Sequence, residues 1–326
     1  MTTLTRNETA RFLLEHDNFL ILSHRRPDGD TTGSSAALCL GLRQLGKTAF
    51  VLENKEVSQR FQWLHEGLTK SAPEGGETIV STDVASPSLL PENGKALLGS
   101  IALRIDHHGS STSFTDLELV DAHSASCAEV VWDVLSLMGV KADKAIAEAV
   151  YVGLSTDTGC FRYSNTTAHT FETAAMCAAA GARIYELNQA LFETNTLGKL
   201  KMQGWIVENM KMLAEGKMAI CAIPRSVEEE LGVTPDDMDN ISSFPRTVAG
   251  VCVAATLRET ADGDTKISVR AVPGYDAAKV TEKFGGGGHK GAAGASLKMS
   301  LAEAALAVEK AMLELGEDHG RNCHCR

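Results

Sequence analysis

The stretch ILSHRRPDGDTTGSSAALCLGL, residues 21–42, decides the fold because its character changes abruptly. An apolar strand pattern ends at His24, a turn carrying Asp28 and Asp30 follows, and a helical pattern begins near Thr32. In open sheets of parallel strands, ligands collect at the carboxyl ends of the strands. The stretch therefore predicts a strand, a functional turn and a helix of an α/β fold.

The same alternation continues through the first half of the chain, which is typical of a mainly parallel sheet with helices on both faces. We predict strands at Phe19–Ser23, Ala49–Leu52, Thr78–Thr82 and Ile101–Ile105, and helices at Thr32–Leu45, Ala125–Met138, Lys144–Leu154 and Thr167–Ala180. A long helical pattern from about Arg183 to Ala214 follows. These elements predict an α/β domain over residues 1–190 and a helical linker over 191–216.

The last third of the sequence is built differently. We predict strands at Met218–Ile223, Val248–Leu257 and Lys266–Val272, a helix at Ala277–Phe284 and a closing helix at Leu301–Leu315. Strands grouped beside helices indicate a smaller α+β domain over residues 217–326. The fold class is therefore α/β, with a smaller α+β domain at the C-terminal end.

The amino-acid composition limits the kinds of partner that we expect the protein to bind. Its 326 residues contain no apolar run near the roughly 20 residues that span a bilayer, and the N-terminus has no apolar signal segment, so we expect a cytoplasmic protein without membrane association. The net charge of −11 argues against binding long duplex DNA. A single anionic substrate remains compatible with this charge if divalent cations neutralise it locally.

Carboxylates and imidazoles recur where predicted elements end. They are His24, Asp28 and Asp30, then Asp83, then Asp106, His107 and His108, and finally Asp157. Taken singly, such an aspartate commonly serves a turn or caps a helix, as Asp30 would cap a helix from Thr32. Together they would repel one another unless cations neutralise them. A pair of divalent ions about 3.5–4 Å apart, holding a hydroxide for in-line attack on a phosphate, is the economical solution.

The ligand types indicate which metal to expect. Carboxylate-rich ligation with one imidazole for each ion suits Mn²⁺ or Mg²⁺ better than tetrahedral zinc.

A separate feature is the stretch FGGGGHKGAAGAS, residues 284–296, whose glycines let backbone N–H groups approach an anion. The alternative interpretation of this stretch is a flexible linker. The presence of His289 and Lys290 inside the stretch favours anion binding. The NCHCR sequence at residues 322–326 is interpreted as incidental.

Five motifs in order resemble one family. HRRPDGD, STD, DHHGS and STDTGCFRY are similar to the four motifs of the DHH phosphoesterases, and GGGGHKGAAG is similar to the signature of their associated C-terminal domain. The resemblance covers about residues 15–315, and it is closest to the stand-alone branch of nanoRNases and 3′-phosphoadenosine-5′-phosphate (pAp) phosphatases, the bifunctional oligoribonucleases.

The resemblance implies a role for each motif residue. His24, Asp28 and Asp83 would surround one Mn²⁺, and Asp30, Asp83, His107 and Asp157 the other, with Mg²⁺ or Co²⁺ as further candidate ions. His108 would face the phosphate and Asp106 would orient the histidines. Gly286, Gly287, Gly288, His289 and Lys290 would hold the terminal phosphate of the substrate, with Arg270 nearby.

The implied activity is manganese-dependent hydrolysis of short RNA or DNA oligonucleotides, of linear dinucleotides such as pApA, and of pAp to AMP. A homodimer is compatible with the resemblance. Two alternatives stay open at this stage: an inorganic pyrophosphatase of the DHH type, and a nucleotide-binding module without catalysis. A metal site on one domain and a phosphate site on the other would favour substrates that match the gap between them.

Overall fold

The computed structural model describes residues 2–109, 111–238 and 241–319. The chain divides into two compact units between Thr194 and Asn195. Among the described residues, the first unit holds a parallel sheet and the second a smaller mixed sheet, which confirms the predicted fold class. The NCHCR sequence lies outside the described residues. No described helix is long and apolar enough to cross a bilayer.

The first unit is organised around a seven-stranded sheet. Its strands are β1 (Thr2–Thr3), β2 (Phe19–Leu22), β3 (Ala49–Leu52), β4 (Thr69–Lys70), β5 (Thr78–Thr82), β6 (Ile101–Asp106) and β7 (Leu117–Val120). They lie in the order β1-β7-β6-β5-β2-β3-β4, and every neighbouring pair is parallel. Strands β2, β5 and β6 are thus adjacent, so the residues that follow them meet at one edge of the sheet.

Seven α-helices belong to the described part of the first unit. They are α1 (Arg6–Glu15), α2 (Gly29–Gln44), α3 (Glu92–Lys95), α4 (Cys127–Leu137), α5 (Lys144–Asp157), α6 (Ala168–Ala179) and α7 (Ile184–Asn188). Short 3-10 segments lie at Gln62–His65, Pro87–Leu89 and Leu98–Ser100, and a π-helical turn at Gln189–Glu193 follows α7.

Both faces of the sheet are buried, but by different kinds of structure. Phe19 and Ile21 of β2 belong to the core that α2, α4 and α5 cover, whereas Leu20 and Leu22 pack on the opposite face. That second face is covered by residues of short helical turns, such as Leu89 and Leu98, rather than by long helices. A strand buried on both faces is expected to be continuously apolar, as β2 is.

Glycines allow α2 and α5 to cross very closely. A Cβ atom on Gly33 would lie 2.3 Å from the Ala149 carbonyl oxygen, and one on Gly153 would lie 2.8 Å from Oδ1 of Asp30. Neither position can therefore accept a larger side chain without moving the helices. The close crossing brings the first turn of α2 beside the end of α5, which is where Asp30 and Asp157 lie.

The second unit is organised around a six-stranded sheet. Its strands are β8 (Lys211–Leu213), β9 (Met218–Ile223), β10 (Val253–Glu259), β11 (Thr265–Ala271), β12 (Gly287–Gly288) and β13 (Ala292–Leu297), in the order β12-β13-β11-β10-β9-β8. Only β9 and β10 pair in parallel. The helices are α8 (Leu197–Asn209), α9 (Arg225–Leu231), α10 (Ala278–Glu282) and α11 (Leu301–His319), with 3-10 segments at Ala214–Gly216, Asp236–Met238 and Ile241–Thr247.

Two predicted elements were wrong in extent. The continuous helix expected over Arg183–Ala214 is interrupted before Thr196, whose hydroxyl accepts from the Lys199 N–H and so caps a new helix. That helix ends at Asn209, and strand β8 occupies Lys211–Leu213, where the helix was expected to continue. The strand expected from Val248 begins only at Val253, because Gly250 adopts a left-handed conformation with φ of +87° in a turn before it.

Candidate metal centre

The ends of β2, β5 and β6, the start of α2 and the end of α5 meet at one place in the first unit. The polar residues that they bring together are His24, Asp28, Asp30, Asp83, Asp106, His107, His108 and Asp157. The potential ligand atoms there form three groups, and within each group all the atoms lie within 4.8 Å of one another. The residues that the motifs single out are therefore neighbours in space, although they come from four segments of the chain.

His24, Asp28 and Asp83 form the first group. Nε2 of His24 lies 3.9 Å from Oδ1 of Asp28 and 3.7 Å from Oδ2 of Asp83. Asp28 is also the N-cap of α2, since its Oδ1 accepts from the N–H groups of Asp30 and Thr31. Capping by Asp30, the alternative that the sequence suggested, is therefore wrong, because Asp30 lies one residue inside the helix.

Asp30, His107 and Asp157 form the second group. Nε2 of His107 lies 3.6 Å from Oδ2 of Asp30, 3.5 Å from Oδ2 of Asp157 and 3.7 Å from Oδ1 of Asp83. Asp83 thus presents one carboxylate oxygen to each group. A third overlapping group joins Asp83 to His107 and His108, and the motifs did not lead us to expect it.

Asp83 has an unfavourable backbone conformation and an unfavourable side-chain environment. Its side chain is buried, and its backbone adopts the left-handed conformation with φ of +59°. Aspartate tolerates this region better than most residues, but not without strain. Oδ2 accepts a hydrogen bond from the Thr31 hydroxyl, whereas Oδ1 is buried without a hydrogen-bond partner among the described residues. A buried carboxylate oxygen without a hydrogen bond is costly, so this position fits a cation that would neutralise it.

Burial and mutual repulsion act on three of the carboxyl groups. Burial, reinforced by the nearby Asp157 charge, raises the pKa of Asp30 to about 7. Burial and then the Asp28 charge raise the pKa of Asp157 to about 7. Burial and the Asp30 charge raise the pKa of Asp83 well above its ordinary value. Carboxylate oxygens and imidazole nitrogens at these spacings fit a hard divalent cation, whose charge would reverse these shifts.

Asp30 is held by the helix opposite. Its Oδ2 accepts from the Cys127 N–H at 2.6 Å and its Oδ1 from the Ala128 N–H at 2.8 Å. Both donors belong to the first turn of α4, where N–H groups have no partner within the helix and the helix dipole favours negative charge. The carboxylate is therefore fixed in orientation without any metal.

His108 is held by an ionic network behind it. Oδ1 of Asp106 accepts from Nδ1 of His108 at 2.8 Å, and the buried Arg104 guanidinium pairs with Oδ2 of Asp106. Burial opposes ionisation of Asp106, but His108 and Arg104 together outweigh it and lower the pKa of Asp106 to about 2. The same hydrogen bond raises the pKa of His108. Nδ1 of His108 is thus engaged, and Nε2 is its other ring donor.

Asp106 contacts the two histidines in different ways. The Asp106 carboxylate accepts from the backbone N–H of His107 but not from its ring. Nδ1 of His107 instead lies 3.3 Å from the Ser124 carbonyl oxygen. That carbonyl, just before α4, orients the imidazole so that Nε2 points at the carboxylates.

Sequence reasoning missed Thr31, Arg104 and Ser124. A charged residue inside the apolar strand pattern IALRID was a signal for Arg104, because a buried guanidinium requires a carboxylate partner. Thr31 lies in a helix start rich in threonine and serine, where nothing distinguishes it from its neighbours. Ser124 acts through its backbone, which leaves no trace in the residue type.

The glycine stretch of the second unit is not a linker. Gly287 and Gly288 form β12, which pairs with β13, and a tight turn follows in which the His289 N–H donates to the Ala292 carbonyl. Cβ atoms on Gly286 and Gly288 would lie 2.3 Å and 2.6 Å from carbonyl oxygens of β13, so close strand approach explains both glycines. Gly287 faces open space.

Arg270 lies beside this turn. It is half-buried, and it alternates with Val269 and Ala271, which pack in the core of the unit. Its register partner is Ala292, so these two side chains lie on the same face of the sheet, and Ala292 closes the turn through backbone hydrogen bonds with His289. The exposed His289 and Lys290 occupy the tip.

Two family matches agree with this fold and this site. Residues 18–154 match the DHH family, N-terminal domain, and residues 215–314 match the DHHA1 domain. Seven of the eight clustered residues, from His24 to His108, lie within the first match, and Asp157 lies just beyond its end. The chain belongs to the DHH family of metal-dependent phosphoesterases, with a DHHA1 domain after the catalytic one.

Within that family, the chain is similar to bifunctional oligoribonucleases and PAP phosphatases called NrnA. The protein from Thermus thermophilus is 33% identical over 282 residues, which cover 85% of this chain and 83% of that protein. The protein from Bacillus subtilis is 27% identical over 90% of this chain and 93% of its own length.

One solved structure shares the fold throughout. An exopolyphosphatase-related protein from Bacteroides fragilis superposes with a TM-score of 0.84 over 97% of this chain and 98% of that chain. The two sequences are 23% identical, so this likeness concerns the fold alone.

Proposed function

We propose that this protein is a manganese-dependent phosphoesterase that hydrolyses short oligonucleotides, including linear dinucleotides such as pApA, and also pAp to AMP. The observation that carries the proposal is the cluster around Asp83, where Asp30, Asp83 and Asp157 have raised pKa values and Oδ1 of the buried Asp83 has no hydrogen-bond partner among the described residues. The printed names of the relatives, oligoribonuclease and PAP phosphatase, support the substrate class.

Two Mn²⁺ ions are the cofactor that we infer. His24, Asp28 and Asp83 would hold one ion, and Asp30, Asp83, His107 and Asp157 would hold the other, in agreement with the two groups of ligand atoms. When bound, such ions polarise the phosphoryl group and lower the pKa of water. The chain itself supplies a rigid set of donors, because Asp28 caps α2 and the N–H groups of α4 hold Asp30.

His108 is the residue that we assign to the phosphate. Its Nδ1 donates to Asp106, and its raised pKa favours the protonated ring, so Nε2 would donate a charge-assisted hydrogen bond to a phosphate oxygen. Asp106 would hold the ring in this orientation and stabilise its positive charge. Arg104 in turn would keep Asp106 ionised.

In the second unit, Arg270, His289 and Lys290 are the groups that we propose for a second substrate phosphate. They gather around one turn, and Gly287 leaves the backbone there open to an anion. Gly286 and Gly288 would contribute by keeping the turn against β13.

A panel of four substrates tests the proposal. The metal-free protein is resupplied with Mn²⁺, Mg²⁺ or Co²⁺ and given pAp, a 5′-phosphorylated dinucleotide, a twenty-nucleotide RNA and pyrophosphate, with Asp83→Asn as the matched inactive control. We expect turnover of pAp and the dinucleotide with Mn²⁺, and much slower turnover of the long RNA, because a net charge of −11 does not attract a long polyanion. Preferential cleavage of pyrophosphate would show a pyrophosphatase, and no turnover of any substrate would show a binding module.

A further inference from the structure

A groove beside the candidate metal centre has no part in the site described so far. It measures about 450 Å³ and lies beyond the end of β3, where Glu53, Asn54, Lys55, Gln62, Trp63 and Thr69 are among its lining residues. A volume of this size is within the range of small-molecule sites. Its lining combines one large aromatic ring with amide groups and with the charged side chains of Glu53, Lys55 and Glu66, which is unlike a gap in an apolar core.

Trp63 is exposed in this groove for a structural reason. It lies in the 3-10 segment Gln62–His65, between Phe61 and Leu64, which are both buried in the core under α2. These two anchors fix the backbone, and they leave the indole of Trp63 with 41% of its surface exposed. A rigidly mounted, half-exposed indole next to polar groups is a surface on which a flat ring can stack.

The wall of the groove is bonded directly to the elements that carry the proposed metal ligands. Nδ2 of the buried Asn54 donates to the His24 carbonyl oxygen at 2.9 Å and to the Ser23 hydroxyl at 3.2 Å. On the other side, Nε2 of His65 lies 2.9 Å from the hydroxyl of Ser35 in α2. The groove is therefore adjacent to the metal centre and has a fixed position relative to it.

We propose that this groove binds the nucleobase of the nucleotide whose phosphate lies at the metal centre, with the base stacked on Trp63. The inference rests on the proposed function and specifies its substrate. A base offers a π face to the indole and a polar edge to the amide of Gln62, which matches the mixed character of the lining. Stacking of one base on one aromatic side chain typically strengthens binding by about tenfold or more.

The test separates the base from the rest of the substrate. Trp63→Ala and the matched control Trp63→Phe are compared with wild type on pAp and on ribose 3,5-bisphosphate, which is pAp without its base, in the presence of Mn²⁺. We expect Trp63→Ala to raise the KM for pAp by about tenfold and Trp63→Phe to stay within about threefold of wild type. All three proteins should have the same kinetics on ribose 3,5-bisphosphate.

Two results would overturn the groove assignment while leaving the proposed function intact. One is an unchanged KM for pAp in Trp63→Ala, and the other is an equal loss on the base-free compound. Calorimetric binding of AMP and of ribose 5-phosphate tests the groove independently of turnover. If wild type hydrolyses neither bisphosphate, the proposed function fails, but weaker AMP binding in Trp63→Ala would still support the groove and unchanged AMP binding would reject it.

Discussion

The Thr31 hydroxyl donates to Oδ2 of Asp83 at 2.5 Å, while Oδ1 of the same carboxylate is buried without a hydrogen-bond partner among the described residues. One helix residue therefore fixes the orientation of the carboxylate that both groups of candidate ligands share. Hydrogen bonds of this kind, made to a ligand rather than to the metal, tune metal affinity.

Thr31→Val removes this hydroxyl with little change in volume. We expect it to weaken Mn²⁺ binding on the order of 10- to 100-fold, because the carboxylate loses the contact that orients it. Thr31→Ser keeps the hydroxyl and should bind Mn²⁺ as wild type does. Isothermal titration of the metal-free proteins measures this difference, and equal affinities for the valine and serine variants would contradict the positioning role.

Arg104 is fully buried between two carboxylates, Asp106 and Glu118, and its guanidinium lies 5.1 Å from the centre of the Phe114 ring. Arg104→Met should lower the free energy of unfolding of the first unit by about 3–5 kcal/mol, because it leaves buried carboxylates without their partner. Arg104→Lys keeps the charge and should lose less. Urea denaturation measures both, and wild-type stability in the methionine variant would refute this account of the network.

The raised carboxyl pKa values predict a particular pH dependence without metal. Folded Asp157 has a pKa raised to about 7, whereas the ordinary pKa of an aspartate carboxyl is 3.8. Between these values the unfolded state loses a proton that the folded state keeps, so the free energy of unfolding falls as pH rises. Asp157→Asn removes this contribution and should melt higher than wild type at neutral pH, on the order of 5 °C.

Thermal melts of chelated protein from about pH 4 to pH 7.5 measure this effect. The difference in melting temperature between Asp157→Asn and wild type should shrink towards pH 4, where the wild-type carboxyl becomes protonated in both the folded and the unfolded state. Asp262→Asn, at an exposed turn of the second unit, is the control and should leave the profile unchanged. A stability difference that does not vary with pH would show that Asp157 is not the source.

Arg270 offers a test of the second unit. Arg270→Ala should raise the KM for a dinucleotide several-fold and leave Mn²⁺ affinity unchanged, because it would remove the proposed phosphate contact, which lies outside the metal cluster. Arg270→Lys keeps the charge and should recover part of the loss. Steady-state kinetics together with metal titration separate the two effects. Unchanged kinetics in Arg270→Ala and in His289→Ala would show that this turn does not bind a substrate phosphate.

Local patterns were enough to predict much of the first unit. The apolar runs Ala49–Leu52 and Thr78–Thr82 are strands with the predicted bounds. The strand ends also placed the aspartates and histidines on one sheet edge, because adjacency in a parallel sheet follows from topology alone. Helix α1 was missed although Thr5 and Glu8 form a capping box, a signal that the sequence carries openly.

What the sequence did not predict depends on contacts between distant residues. The bond from Thr31 to Asp83 joins residues 52 positions apart, and the bonds from the start of α4 to Asp30 join residues 97 and 98 positions apart. The left-handed backbone of Asp83 is likewise imposed by its surroundings rather than by its residue type. Such features require the folded chain, and they are the ones that orient the ligands.

Counting the bound Mn²⁺ ions tests the central claim most directly. Metal-free wild type is loaded with Mn²⁺, freed of excess metal by gel filtration, and analysed for metal content and for magnetic coupling by electron paramagnetic resonance. We predict two ions in each chain, coupled through a shared ligand, and loss of the coupling in Asp83→Asn with the fold retained. One ion or none in wild type, or a coupled pair that persists in Asp83→Asn, would contradict the two-metal site built around Asp83.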